Sequence, residues 1–427
     1  MQILIATSRF QDLAGSEITV LEYAIELVKQ GHEVSIASFF ESERYQNECA
    51  ENGIFLSVLD NVDLINRSWD IIWVFHQPTF YALFAKWNYS AKHTIFSSLS
   101  HFEPLETPPI EIFPLDVITT NSEENYKFLL ESYPQYSRKA KILPNSIPRD
   151  FWIKPAPLHS NKVVIVSNHI PKELIELIPL LEEKGLDVAV YGTGYIEERI
   201  SPEVLLNCKF CISIGKTVQY CLALKIPIFC YDHFGGPGWI TEENISTAAA
   251  KNFSGRCSPN KYTATEILNE MGSNKIPPYE MLEKNYLYSK DYFDLSKNIS
   301  GILDFSGVNE NKAIVQNITE KNIFSRTVDV FVRDSLRQKE LAVAYNDEGL
   351  LREKTEQQLI EYRHAWDVES KRRFKVENEL LQLSSMFEDE KIEHLQTIKQ
   401  LNEIKGSNFF KSYYLIKSLI TKYRSKN

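Results

Sequence analysis

Short apolar segments alternate with helical segments along much of this chain, and no other feature restricts the possible fold as strongly. Strands are predicted at residues 3–6, 34–37, 71–75, 94–97, 117–120 and near 142, and again at 163–166, 188–191, 210–214 and 228–231. Polar loops stand at the strand ends, and such alternation is typical of a doubly wound parallel sheet. A polar linker with two prolines at 153–161 divides the pattern. The chain is therefore expected to be α/β, with two Rossmann-like halves and a cleft between them.

The segment 210–240 has the composition of a βαβ phosphate-binding unit. An apolar strand leads into Gly215, and Lys216 and Thr217 follow at a predicted helix start. Backbone N–H groups at a helix N-terminus are unpaired, and the helix dipole favours an anion there. A glycine cluster at 235–238 is predicted to form a second loop at the carboxyl end of the neighbouring strand. The alternative is that Gly215 only turns the chain and Lys216 is solvated, because the Walker spacing is missing.

Composition limits the class of protein. The 427 residues suffice for two domains and an extension, and the net charge of −10 argues against nucleic acid as the main partner. The start of the chain has no signal-peptide pattern, and no apolar run approaches the roughly 20 residues that cross a bilayer. A cytoplasmic protein with six reduced cysteines is expected. Four of them (Cys208, Cys211, Cys221 and Cys230) are interpreted as buried small hydrophobic residues rather than zinc ligands.

Three stretches carry a resemblance to a known family. They are AGSEITVLEYAIELVKQGHEVSIAS at 14–38, ITTNSEENYKFLLESYPQYSRKAKILPNSIPRDFW at 118–152 and GKTVQYCLALKIPIFCYDHFGGPGWI at 215–240. Together they resemble GT-B-fold glycosyltransferases of the group-1 (family 4) type, of the kind encoded in bacterial surface-polysaccharide clusters. The resemblance covers roughly residues 1–260. It implies two Rossmann-like domains facing a cleft, the GT-B arrangement.

The resemblance also implies an activity. It implies a glycosyltransferase of the hexosyltransferase class that moves a sugar from a nucleotide-sugar to a glycan or lipid-linked acceptor, with retention of configuration. The sequence contains no DxD motif, so a metal-independent enzyme is expected. No cofactor is expected, since the nucleotide-sugar is a substrate. Two alternatives stay open: a non-catalytic scaffold subunit that organises other transferases at a membrane, and a GT-B-fold sugar-nucleotide epimerase.

The chain departs from the family at the donor site. The family places two glutamates eight positions apart, and alignment on Pro227 puts Ile212 and Tyr220 at those positions. The family's diphosphate-binding Arg and Lys become, at best, His169 and Lys172. Either Lys216 and Gln219 have taken over contacts to the nucleotide-sugar, or the donor site is weakened.

The candidate site residues follow from these motifs. Two histidines that stand just past predicted strands, His76 and His101, are the catalytic candidates, as a base or as groups that hold a sugar hydroxyl. His76 is preferred because it follows the apolar strand IIWVF directly, and a packed loop histidine is the alternative for either one. The residues expected to bind the nucleotide-sugar are Gly15, Ser16, Asn168, His169, Lys172, Gly192, Gly194, Gly215, Lys216, Thr217, Gln219, Asp232, His233, Gly235 and Gly236. No metal ligands are assigned.

Four segments are predicted along the chain. Residues 1–152 form the N-terminal acceptor domain and residues 160–305 the C-terminal donor domain. Residues 330–405 form a coiled coil, because apolar residues recur there at spacings of three and four without proline. Residues 406–427 form a basic amphipathic tail in which aromatic residues interleave with lysines.

The extension suggests partners. A homo-oligomer through the coiled coil and peripheral contact of the tail with the inner face of the cytoplasmic membrane are expected. A long helix folded back on the catalytic domains and a partner-binding helix are the respective alternatives.

Overall fold

The computed structural model of the chain describes residues 1–347 without 111–112, 114, 154–159, 273–274 and 306–317, and then 362–363, 365–367, 369–373, 391 and 393. Met1–Asp334 and Ser335–Asn427 form two compact units. The predicted tail at 406–427 and most of the predicted coiled coil at 330–405 lie outside the described residues. No helix within the described ranges is long and apolar enough to cross a membrane.

A seven-stranded parallel sheet, here called the first sheet, occupies the N-terminal part of the chain, with strand order β3-β2-β1-β4-β5-β6-β7. Its strands are β1 (Gln2–Phe10), β2 (Glu33–Glu41), β3 (Phe55–Val58), β4 (Ser68–Phe75), β5 (Ser90–Ser98), β6 (Val117–Thr120) and β7 (Ala140–Ile142). Its helices are α1 (Gly15–Lys29), α2 (Glu43–Glu51), α3 (Val62–Ile65), α4 (Gln77–Tyr81) and α5 (Glu123–Ser132).

Both faces of the first sheet are covered, as a parallel sheet requires. Along β1, Ile3 and Ile5 pack into one core cluster with the apolar side of α1, whereas Leu4 packs into a second cluster on the opposite face. This follows from the two-residue side-chain period of a strand. Ser122 accepts a hydrogen bond from the Asn125 N–H and caps α5.

A five-stranded sheet, here called the second sheet, follows with strand order β12-β11-β10-β8-β9. Its strands are β8 (Lys162–Val166), β9 (Asp187–Tyr191), β10 (Cys208–Ser213), β11 (Ile228–Asp232) and β12 (Gly235–Trp239), and only β12 is antiparallel to its neighbour. Its helices are α6 (Lys172–Glu182), α7 (Pro202–Leu206), α8 (Lys216–Ala223), α9 (Ile245–Ala250), α10 (Ala264–Glu270) and α11 (Tyr279–Tyr292). Cys208, Cys211, Cys221 and Cys230 are buried here, as the sequence predicted.

The predicted glycine loop at 235–238 is wrong, because these residues form strand β12. Cys230 pairs with Gly238 across the antiparallel ladder. A Cβ at Gly236 would lie 2.1 Å from the carbonyl oxygen of Cys230, and a Cβ at Gly235 would lie 2.2 Å from that of Asn260. Close backbone approach therefore explains these glycines.

Two later helices return to the first sheet. Leu295 and Ile299 of α12 (Leu295–Ile302) join the cluster that contains α1. On the opposite face, Val328 of α13 (Ile318–Asp347) is fully buried and Phe324 packs beside it. The chain thus crosses back to its N-terminal part after completing the second sheet.

Candidate functional site

Each sheet has one point at which the strand order reverses, and open α/β sheets bind ligands outside the carboxyl ends of the strands at such a point. In the first sheet this point lies between β1 and β4, and in the second between β8 and β10. Gly15 and His76 follow β1 and β4, whereas His169 and Lys216 follow β8 and β10. Sequence-predicted residues therefore lie at both reversal points.

Contacts between the loops show that the carboxyl ends of the two sheets face each other. Arg44, after β2, donates a hydrogen bond to the carbonyl of Glu197, after β9 (3.4 Å). At another place along the cleft, Arg256 lies 3.2 Å from a carboxylate oxygen of Glu124 at the start of α5. The cleft between the sheets is thus lined by the residues that follow strands on both sides.

His76 is held as a neutral ring at the first reversal point. Its φ of 74° is in the left-handed region, which a histidine rarely adopts. The Ser8 N–H donates to its Nδ1 (3.2 Å), so the proton of the neutral ring is on Nε2. Burial, together with the charge of the nearby Arg9, lowers the His76 pKa to about 4. His76 can therefore donate a hydrogen bond through Nε2, but in this tautomer Nε2 cannot accept a proton.

Two buried carboxyls beside the first sheet, Glu106 and Glu17, are absent from the residues that the sequence predicted. Glu106 lies in the loop after β5, where it accepts the Ser100 N–H (2.5 Å). Burial, with a smaller contribution from the charges of Glu103 and Glu17, raises its pKa to about 8. Glu17, in the first turn of α1, also has a pKa raised by burial, although Ser16 donates a hydrogen bond to it (2.7 Å). No periodic pattern marks Glu106, but a glutamate beside Gly15 and Ser16 could have been noticed.

His101 has the opposite tautomer. The amide nitrogen of Asn125 donates to the carbonyl of Leu99 (2.7 Å), which can only accept. The Asn125 Oδ1 must then face His101, whose Nδ1 donates to it (2.5 Å). In this tautomer the proton is on Nδ1 and Nε2 has a lone pair. His101, rather than His76, therefore has an Nε2 that can accept a proton.

A shallow depression of about 330 Å³ surrounds His101. It is lined by side chains from both sides of the cleft: His101, Glu123, Glu124, Lys127, Phe128, Glu131, Ala250 and Lys251. The His101 ring stacks on Phe128, with 4.7 Å between ring centroids. An aromatic floor with a rim of carboxylates and lysines offers both an apolar surface and hydrogen-bonding groups to a polar ligand.

At the second reversal point, Lys216 contacts the N-terminal part of the chain. Its Nζ lies 2.5 Å from Oε2 of Glu22 and 3.2 Å from Oγ1 of Thr19, both on α1. Tyr220 also donates a hydrogen bond to Glu22. The position that aligns with a family glutamate is thus a tyrosine that binds a glutamate from the other side of the cleft.

Arg199, after β9, extends this cluster. One guanidinium nitrogen pairs with Glu48 on α2, and another lies 3.7 Å from Glu22. Glu22 is buried and Lys216 is nearly so, with side chains 1% and 11% exposed. Arg199, Glu48 and Glu22 are not among the residues predicted from the sequence, where no motif marks them. We call Glu22, Glu48, Arg199 and Lys216 the charge clasp.

The other residues predicted to bind the nucleotide-sugar fall into two groups. Asn168, His169 and His233 are exposed, and Lys172 is 86% exposed and pairs with Glu176 (3.3 Å) along α6. The second group is buried: Thr217 and Gln219 on α8 and Asp232 at the end of β11.

Glycines near the second reversal point allow backbone conformations and close contacts that other residues would not. A Cβ at Gly192 would lie 2.0 Å from the carbonyl oxygen of Ser167, so this glycine lets the loops after β8 and β9 meet. Gly194 has a φ of 82° and donates to Glu197 (3.0 Å). Gly215 has a φ of 60° and precedes α8, as predicted for a turn into a helix.

Asp232 is held by the loop that follows it. Its side chain accepts the Phe234 N–H (2.7 Å), and a Cβ at Gly255 would lie 1.9 Å from its Oδ1. Burial raises its pKa, and its Oδ2 accepts no hydrogen bond from the described residues. Within those same residues, no group of three or more His, Cys, Asp or Glu side chains could hold a metal ion.

No protein-family model matches the chain, and neither does any curated protein. Among solved structures it is similar to Anabaena HepE in complex with UDP-glucose, at 11% identity and a TM-score of 0.49, over 72% of this chain and 99% of that one. A Rickettsia africae glycosyltransferase is 13% identical, with a TM-score of 0.43 and coverage of 74% and 99%. WaaG, a glycosyltransferase involved in lipopolysaccharide biosynthesis, is 10% identical, with a TM-score of 0.43 and coverage of 71% and 99%.

Proposed function

We propose that the chain is a glycosyltransferase that moves a sugar from a nucleotide-sugar to the hydroxyl of a glycan or lipid-linked acceptor. One observation carries the proposal: the strand-order reversal points of the two sheets face each other across a cleft. Side chains that can donate or accept a proton lie on one side of it, and cations lie on the other. Sugar transfer requires both, because a hydroxyl loses a proton while a diphosphate leaves with its charge.

The residues take distinct roles in this proposal. The bond between the sugar C1 and the diphosphate oxygen breaks, and a bond forms between C1 and the acceptor oxygen. Nε2 of His101 takes the acceptor proton, and Nε2–H of His76 holds a sugar hydroxyl. Lys216 and Arg199 compensate the charge of the leaving diphosphate. Retention of configuration and the assignment to the hexosyltransferase class come from the family resemblance, and metal independence is expected from the missing DxD motif.

The extension supports a place in cell-surface polysaccharide synthesis. Tyr362 and Trp366 are helical residues four positions apart and are 67% and 54% exposed, a spacing that puts two side chains on one face of a helix. In our proposal this face pairs with a second copy in a coiled coil over 330–405. The basic segment 406–427 then brings the assembly to the inner face of the cytoplasmic membrane, where a lipid-linked acceptor would be present.

The test is transfer by the full chain. A panel of nucleotide-sugars is incubated with extracted lipid-linked glycans, and both the released nucleoside diphosphate and the lengthened glycan are measured. His101→Ala is expected to abolish most transfer, whereas His93→Ala, a histidine stacked on Phe305 (4.0 Å), leaves it unchanged. The absence of transfer and of diphosphate release for every nucleotide-sugar would reject the proposal.

A non-catalytic scaffold is the second candidate, and the charge clasp favours it. The clasp fills the place where the resemblance expects donor contacts, and Ile212 and Tyr220 replace the paired glutamates. A scaffold would bind a partner transferase and raise that partner's activity without turnover of its own. Stimulation of a partner by a His101→Ala variant would support this candidate.

A further inference from the structure

The charge clasp joins two cations from the second sheet to two carboxylates from the first. Lys216 begins α8 after β10, and Arg199 follows β9. Glu22 and Glu48 belong to α1 and α2. Every ion pair of the clasp therefore spans the cleft.

The buried charges of the clasp destabilise the fold if one partner of an ion pair is lost. Moving charges out of water is unfavourable, and a buried pair offsets that cost only when both partners are present. Burial lowers the Lys216 pKa, while the Glu22 carboxylate opposes that change. Any molecule that takes Glu22 away must therefore supply negative charge to Lys216 and Arg199.

We propose that Lys216 and Arg199 form the diphosphate-binding pair of the cleft, and that Glu22 occupies their site until a diphosphate displaces it. This inference rests on the proposed function. A diphosphate has the right chemistry, because its oxygens can accept from both cations at once and carry more charge than one carboxylate. The Thr19 hydroxyl, which Lys216 contacts at 3.2 Å, is released in the exchange.

A second observation on α8 also suggests a ligand. Gln219 lies between Lys216 and Tyr220 in the sequence and is 1% exposed. Its Oε1 accepts no hydrogen bond from the described residues. A buried acceptor without a partner is unfavourable, and a ligand hydroxyl beside the diphosphate would satisfy it.

The exchange makes the ligand-free molecule self-inhibited. Glu22 and the diphosphate compete for the same two cations, so the measured affinity includes the free energy needed to displace Glu22. Removing the charge of Glu22 should therefore tighten diphosphate binding, whereas removing either cation should weaken it. A purely structural ion pair would predict no tightening.

The experiment measures binding of inorganic pyrophosphate and of uridine, guanosine and adenosine diphosphates to the full chain by titration calorimetry. Glu22→Gln is expected to tighten binding about fivefold or more, and Lys216→Ala and Arg199→Ala to weaken it about tenfold or more. The matched control is Glu26→Gln. Glu26 lies one turn later on α1 and is equally buried, but it pairs with Arg149 (2.8 Å), so no change is expected.

Glu48→Gln keeps the test decisive if Glu22→Gln does not fold. The Glu48 side chain is 27% exposed, and its loss frees Arg199 alone, so a smaller gain in affinity is expected. Unchanged or weaker binding in a folded Glu22→Gln or Glu48→Gln variant would overturn the inference. Pyrophosphate binding requires no sugar transfer, so the two ideas can fail separately. Tighter binding without sugar transfer would support the displacement of Glu22 and reject the glycosyltransferase. Sugar transfer with unchanged pyrophosphate binding would support the glycosyltransferase and reject the displacement of Glu22.

Discussion

The two reversal points bury ionisable groups in opposite ways. At the first sheet the groups are neutral: burial lowers the His76 pKa to about 4 and raises the Glu106 pKa to about 8. At the second sheet the charges remain, and Lys216 and Arg199 are paired with carboxylates from across the cleft. A histidine or glutamate can escape the cost of burial by changing its protonation state, whereas an arginine must be paired. The first site is therefore suited to proton transfer and the second to charge compensation.

The largest expected effect is a difference in stability between variants of two lysines, Lys216 and Lys172, that were both predicted from the sequence to bind the nucleotide-sugar. Lys216→Ala should lower the free energy of unfolding by about 3 kcal/mol or more, since it leaves Glu22 buried beside fewer cations. Lys172→Ala should change it by less than about 0.5 kcal/mol, because that side chain is 86% exposed. Urea denaturation measures both. Equal losses of unfolding free energy in the two variants would mean that the Lys216–Glu22 pair is no more important for stability than an exposed ion pair. The proposed difference between the two sites would then be wrong.

The next prediction tests the first site through its strained histidine. His76→Ala should lower transfer by more than about tenfold and leave diphosphate affinity unchanged, because it removes an Nε2–H that acts on the reacting sugar. His76→Asn is the matched variant, since asparagine tolerates a φ of 74° and can still accept the Ser8 N–H. If the loss comes only from backbone strain, His76→Asn will restore transfer and His76 has no role in the reaction.

The sequence predicted the sheets better than the site because their signals differ. Apolar strands such as 117–120 can be recognised from their composition, and the structure has this strand with the same limits. Gly215 was likewise predicted correctly as the residue before a helix. The glycines at 235–238 were misread, because a glycine needed for close backbone approach looks the same in sequence as one that binds phosphate.

The clasp was beyond sequence reasoning for a different reason. Glu22 and Lys216 are far apart in the chain, and each is an ordinary charged residue on a helix. Only the facing of the two sheets brings them together. The tautomers of His76 and His101 are equally hidden, since they depend on the Ser8 N–H and on the amide of Asn125.

A third prediction uses pH to isolate Glu106. Between pH 6.5 and about 8 the unfolded chain has lost this proton while the folded chain keeps it, so stability should fall as the pH rises. His76 opposes this slope near pH 6.5, because its pKa is lowered from 6.5 in the folded chain, and its contribution fades toward pH 8 as the unfolded ring also becomes neutral. Glu106→Gln should flatten the curve by up to about 1.4 kcal/mol per pH unit. Urea denaturation at several pH values measures this, with the exposed Glu51→Gln as control. An unchanged slope in Glu106→Gln would show that the first site buries no neutral acid.

The smallest effect concerns Gly15, which lies where β1 feeds α1 at the first reversal point. A Cβ there would meet nothing within 4 Å, and the same is true of Gly301 in α12. Both Gly→Ala changes should raise the free energy of unfolding by up to about 1 kcal/mol, because alanine loses less backbone entropy in a helix. They should differ in ligand binding. If a diphosphate approaches the start of α1, the open space at Gly15 is where it passes, so Gly15→Ala should weaken diphosphate affinity a fewfold and Gly301→Ala should not. Calorimetric melting and diphosphate titration together decide the matter. If Gly15→Ala and Gly301→Ala bind diphosphate equally well, the first site makes no contact with the phosphates, and the second site alone carries the negative charge of the ligand.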